Sequence, residues 1–223
     1  MYNTPTLPAE HEHEYEYANA QNLINYLTTN GYPVTQTSDN YSELCINGNK
    51  IIFDISKNQF DVKNIKYGRR TICNLSKKEN HSVVMIIIKL LKKGYSPANI
   101  VLEKSWQTGH DPIYLDVMIK GGDEIYMIEV KKLDDFFKYS TPSSKNKVEQ
   151  LFSYALQEKN TTVASFYSYD FDNKCDKWAT VFCKDLRITA LNEDDFYDRW
   201  NKIFDTDDWV ENNNVNNAKK DII

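Results

Sequence analysis

Apolar side chains return at helical intervals between Val83 and Leu91, with Val83, Val84, Ile87, Ile88 and Leu91 on one side and Gly94 ending the run. Ser76 and Glu79 stand at the spacing of a capping box, so a helix of ~15 residues is expected to start there. Downstream, 100–103, 113–119 and 124–131 are short runs of β-prone residues and read as strands. A helical stretch at 145–159, strands at 162–167 and 178–182 and a helix at 193–204 complete the series. Upstream, 17–29 reads as a helix ending at Gly31. The segments 43–46 and 50–55 read as a hairpin closed by Asn47-Gly48, a pair suited to positive φ.

The core order is therefore αβββαβ, and the combination of a hairpin with a helical crossover predicts an α/β fold with a mixed central sheet flanked by helices. Three parts are expected. Residues 1–75 form a small N-terminal α+β appendage, 76–190 the core, and 191–223 a C-terminal helix and polar linker. The first boundary is placed near 71–76 by pattern alone.

Composition narrows the class. With 223 residues, 41% hydrophobic and 26% charged, the chain belongs with ordinary globular proteins. Its longest apolar run, Val83 to Ile88, is far short of the ~20 residues a bilayer span needs, so no membrane partner is expected. Glu10, Glu12, Glu14 and Glu16 stand where a secretory signal would carry basic and then apolar residues, so the cytoplasm is the default location. Cys45, Cys73, Cys175 and Cys183 lack CxxC spacing and read as reduced and structural.

The net charge of -5 argues against gripping nucleic acid by bulk electrostatics. Its distribution changes that picture. Ten basic and two acidic residues lie from Lys57 to Lys93, whereas 170–211 holds six basic and twelve acidic. Arg69, Arg70, Lys77 and Lys78, with Lys63 and Lys66, are the best candidates for phosphate contacts in the basic belt.

The candidate chemistry lies in one hairpin. If Gly122-Asp123 is a two-residue turn, Asp116 faces Glu129 across the strands, and Lys131 follows on the same side as Glu129. Like charges placed opposite each other in a sheet are destabilising unless a cation sits between them. Mg²⁺, with Mn²⁺ as a substitute, accepts one or two carboxylates plus water and phosphate, which suits this pair. Asp116 and Glu129 are thus the candidate metal ligands, and Lys131 would orient water or stabilise developing charge. Those three groups suffice for phosphodiester hydrolysis. Glu103, on the preceding strand, is a third catalytic candidate. Glu79 already has a capping role to explain it.

With these residues in order, the segment from Glu79 to Tyr167 resembles the PD-(D/E)xK nuclease superfamily, more narrowly the N-terminal nuclease domain of type I restriction enzymes and related restriction-modification proteins. The resemblance rests on Glu79, Gly94-Tyr95, Glu103, Asp116, Glu129-Val-Lys131 and Gln150-Leu-Phe-Ser-Tyr154. The last looks like the family's QxxxY motif. Gln150 and Tyr154, four apart, project from one helical face and could bind DNA backbone or buttress the acids. Leu115 departs from the family's pattern, which has Pro before the motif Asp. The resemblance implies a restriction-endonuclease-like core, Mg²⁺-dependent cleavage of double-stranded DNA and a role in defence against phage and other foreign DNA.

Other chemistries fall away. Asp111-Pro-Ile-Tyr114 resembles an adenine-methyltransferase motif, but Ile113 replaces its second Pro and no glycine-rich cofactor loop accompanies it. No P-loop motif occurs, so motor, methyltransferase or specificity functions of a restriction complex would lie in other domains or subunits. The polar stretch 209–220 reads as a linker within such an assembly. A non-catalytic nuclease-like module for DNA docking or subunit assembly is the alternative.

Overall fold

The computed structural model describes residues 19–108, 111–139 and 160–183, together with 151, 153–155, 157 and 158. Two sheets make up most of this mixed α/β structure. Helix α1 (Ala20–Thr29) is capped by Asn19, whose side chain accepts a 2.8 Å hydrogen bond from the Asn22 amide. It is followed by β1 (Val34–Ser38), β2 (Tyr41–Ile46), β3 (Asn49–Asp54) and β4 (Gln59–Val62), a four-stranded antiparallel meander. Asn47-Gly48 closes the β2–β3 hairpin, as its sequence predicts.

The second sheet has six strands. It contains β5 (Lys66–Tyr67), β6 (Ile100–Thr108), β7 (Asp111–Gly121), β8 (Glu124–Val130), β9 (Thr161–Asp170) and β10 (Cys175–Phe182), in the order β10-β9-β8-β7-β6-β5. The pairs β6–β7, β7–β8 and β9–β10 are antiparallel, whereas β5–β6 and β8–β9 are parallel. The sheet is therefore mixed. The parallel β8–β9 pair requires a crossover. It begins with α3 (Leu133–Tyr139), which the sequence reading missed, and passes through helical residues 151, 153–155 and 157.

Helix α2 (Lys78–Lys92) explains why the two sheets cohere. It packs on β2 of the small sheet and on β8 and β9 of the large one. Periodicity assigned only one apolar face to this helix, yet Met85 and Ile86 are as buried as Val84 and Ile87. A helix covered from two sides has no solvent face along its middle, so the unbroken run from Val83 to Ile88 is what this position demands. One buried cluster accordingly links Leu44, Ile51 and Phe53 with Ile87, Ile128 and Tyr167.

The start of α2 differs from expectation. The capping position is Lys77, with no side-chain cap, and Ser76 Oγ instead accepts from Asn58 Nδ2 at 2.6 Å. Asn80 reaches back to the carbonyls of Thr71 and Asn74. The preceding turn is thus tied to the helix by Asn80, and no capping box forms. Glu79 is released from that duty. Among the described residues no helix is long and apolar enough to cross a membrane. The C-terminal helix and linker expected at 191–223 lie outside the described residues, as do residues 1–18 of the expected N-terminal appendage.

Candidate active site

The β7–β8 turn sets the geometry. Gly122, at φ +63°, takes the first turn position, a conformation other residues enter at a cost. The register that follows pairs Gly121 with Glu124 and Val117 with Ile128. One residue further on, Asp116 comes abreast of Glu129. On the other side, Leu102 opposite Val117 and Lys104 opposite Leu115 bring Glu103 abreast of Asp116. Three acids therefore stand in one row across β6, β7 and β8.

The ladders are interrupted along this row. Glu103 adopts φ +48°, uncommon for a residue with a Cβ, and falls out of the pairing between Leu102 and Lys104. The β7–β8 pairing ends at Val117, and the Asp116 carboxylate takes a 2.7 Å hydrogen bond from the Val130 amide through Oδ2. Leu115 and Val117, on either side of Asp116, are both fully buried but in different clusters, Leu115 with Met118 and Tyr154 and Val117 with Ile119 and Leu102, so β7 changes faces at Asp116.

Lys131 completes the group. Its amide donates to the Tyr167 carbonyl at 2.8 Å, which prolongs the β8–β9 pairing by one residue and anchors its backbone. Its ammonium lies 2.6 Å from Glu129 Oε1, with only 14% of the Lys131 side chain and 6% of the Glu129 side chain exposed. Removal from water holds the Asp116 carboxyl well above the usual carboxylate range, and the charge of Glu129 pushes it further. Lys131 and the Val130 amide pull in the opposite direction without cancelling these effects. Burial likewise raises Glu129, against the pull of Lys131. Glu79, in the first turn of α2, adds negative potential at both acids. The helix-borne acid therefore belongs to the electrostatics of this corner.

Glu103 is tied elsewhere. Its Oε1 accepts from the Thr71 hydroxyl and lies 3.3 Å from the Arg69 guanidinium, while Oε2 is buried with no hydrogen-bond partner among the described residues. Arg69 stacks on the Tyr114 ring, 3.2 Å from its centroid. The four basic candidates separate accordingly. Arg70 is engaged by Asp61 at 2.7 Å and covers the Tyr67 ring, whereas Lys77 and Lys78 are exposed at the start of α2.

Tyr154 is 1% exposed, donates its hydroxyl hydrogen bond to the Tyr114 carbonyl and leans on Trp106. It buttresses β7 two residues before Asp116. Gln150 lies outside the described residues. Thr71 and Tyr114 were missed from sequence. Tyr114 had a usable signal, since it stands on the same strand only two residues before Asp116. Thr71 had none, because only the folded chain brings it to Glu103.

A divalent cation suits this donor set. Two hard carboxylates, Glu129 buried and Asp116 half-buried, are desolvated and disfavour each other as anions, and a dication removes that conflict. Among the described residues, no cage of three or more His, Cys, Asp or Glu side chains is gathered. A two-carboxylate site completed by water and substrate is the form Mg²⁺ accepts. Compared with known proteins, the chain matches no family model, no curated protein and no solved structure.

Proposed function

We propose that this chain is a Mg²⁺-dependent endodeoxyribonuclease domain with a restriction-endonuclease-like core, acting within a larger restriction-modification assembly. The observation that carries this reading is the Asp116–Glu129 pair, Glu129 buried and Asp116 half-buried, with the Lys131 ammonium 2.6 Å from Glu129. The order of α2, the antiparallel β6–β7–β8 and the crossover to parallel β9 supports it as well.

In this reading Asp116 and Glu129 hold the cation, which when bound polarises a phosphoryl oxygen and lowers the pKa of water. Asp116 is kept in place by the Val130 amide, and Tyr154 steadies the strand that carries it. Lys131 supplies a fixed positive charge that orients the attacking water and stabilises charge developing at phosphorus. Double-stranded DNA is the proposed substrate, and motor, methyltransferase and specificity functions come from partner domains or subunits.

The test is Mg²⁺-dependent cutting of plasmid DNA by the full chain, alone and within its native assembly. Lys131→Ala and Asp116→Ala should each abolish cutting while circular dichroism stays that of the folded protein. Cutting at the wild-type rate by either variant defeats the assignment and leaves the non-catalytic docking module.

A further inference from the structure

Resting on the nuclease reading, we propose that Arg69 is the phosphate clamp of this site. It binds a non-bridging oxygen of a DNA phosphodiester beside the Asp116–Glu129 pair, and Glu103 acts as its positioning residue.

The first support is placement. Tyr114 and Asp116 are two apart on β7, about 7 Å along the strand. The Arg69 guanidinium, 3.2 Å above the Tyr114 ring and 3.3 Å from Glu103, which stands abreast of Asp116, is therefore held next to the acid pair. Gly68 makes the approach possible. Its amide bonds the Leu102 carbonyl at 2.8 Å, and a Cβ at this position would lie 2.0 Å from the Glu103 carbonyl oxygen. Only glycine lets the chain lie this close to β6 and deliver the next side chain to the row of acids.

The second support is preorganisation. Arg69 is 45% exposed at its side chain while Glu103 is 6% exposed, so the guanidinium runs from a buried anchor to solvent. A guanidinium has five N–H donors in a planar fork, and the ring and one carboxylate oxygen leave donors for an incoming phosphate. Glu103 is itself fixed by Thr71, and its buried Oε2 has no hydrogen-bond partner among the described residues. Its negative charge is thus held close to Arg69. Arg70, by contrast, is occupied by Asp61 and Tyr67.

Exposure points the same way. Lys131 is engaged with Glu129 and only 14% of its side chain is exposed, whereas 45% of the Arg69 side chain is exposed.

The experiment measures anisotropy of a short labelled DNA duplex with the full chain across a salt series, with Ca²⁺ replacing Mg²⁺, alongside calorimetric titration with Mg²⁺ alone. Arg69→Ala should weaken duplex binding about tenfold and reduce the salt slope by about one, with Mg²⁺ affinity retained. Arg69→Lys should restore the slope but not the full affinity, because an ammonium has neither fork nor stack. Glu103→Gln should raise KM for cleavage by more than it lowers kcat. If Arg69→Ala melts early, Arg69→Lys decides. Wild-type affinity and slope in the deciding variant overturn the clamp, as does Mg²⁺ binding by a wild-type chain that ignores the duplex. A wild-type chain that neither takes up Mg²⁺ nor cuts overturns the nuclease reading itself.

Discussion

Replacing Lys131 with Met removes the ammonium next to Glu129 while keeping the length and packing of its stem. Because the Glu129 side chain is only 6% exposed, it would lose its 2.6 Å partner with little compensating access to water, in the presence of Asp116 and Glu79. Breaking a buried pair by removing one member typically costs about 3–5 kcal/mol. For a domain of this size each kcal/mol corresponds to a shift of about 2–4 °C, so Lys131→Met should melt about 6–20 °C lower near pH 8.5.

Protonation limits that loss. Burial already holds Glu129 above its ordinary pKa, and Lys131 opposes the shift, so the variant's folded state takes up a proton at higher pH than the wild type. A carboxyl raised on folding contributes stability that is present at low pH and lost as pH rises through the folded value. The deficit of the variant should therefore shrink as pH is lowered towards 5.5. Glu129→Gln placed in the same chain should recover most of the loss. Calorimetry of the four proteins of the double-mutant cycle at both pH values measures each quantity. A deficit under about 0.5 kcal/mol at pH 8.5, or one independent of pH and additive with Glu129→Gln, would refute a buried, coupled pair.

Mg²⁺ at a hundred times its dissociation constant should stabilise the wild type by about 2.7 kcal/mol, seen as a rise of about 5–10 °C in melting temperature. Asp116→Asn should lose that rise, yet be at least as stable as the wild type without metal at pH 7.5, since it removes a carboxyl whose ionised form is disfavoured by burial. Ile86→Ala should cost about 2–5 kcal/mol in urea unfolding, although helical periodicity alone would leave Ile86 off the buried face; a cost under about 0.5 kcal/mol would contradict the two-sided cover of α2. Burial lowers the pKa of His81, whose ring nitrogen Nε2 faces the Leu75 carbonyl at 2.8 Å. Its stabilising contribution is present above the unfolded value of about 6.5 and lost as pH falls through the folded value, so His81→Gln should show a smaller drop in stability than the wild type between pH 7.5 and 5.5.

Much of the site's geometry was legible because it depends on local rules. A two-residue turn at Gly122-Asp123 fixes the β7–β8 register, and the register places Asp116 abreast of Glu129. The β2–β3 hairpin was legible for the same reason. Alternation along β8 then assigns its faces, whereas along β7 it breaks at Asp116, which the sequence does not signal. What escaped depends on contacts between distant segments. Ser76 and Glu79 carry a capping pattern, but Asn58, eighteen residues before Ser76, competes for its hydroxyl, and no sequence window contains both partners and their geometry. Strands β4 and β5 are short, with four and two residues, and are held by sheet neighbours more than by their own composition. Periodicity also made α2 look one-sided, because a second sheet covering the helix leaves no trace in spacing. The role of Glu103 followed the same pattern: its strand was expected, but Thr71 and Arg69 reach it through the fold.

The central claim is that the crowded carboxylates of β7 and β8 are a divalent-cation site. Crystals of the full chain soaked in Mn²⁺ and measured at a wavelength sensitive to manganese test it most directly. The account predicts one anomalous peak shared by carboxylate oxygens of Asp116 and Glu129, each within about 2.2 Å, with Lys131 beside it. Manganese bound elsewhere, or an empty site with the Glu129–Lys131 pair undisturbed at saturating Mn²⁺, would contradict it.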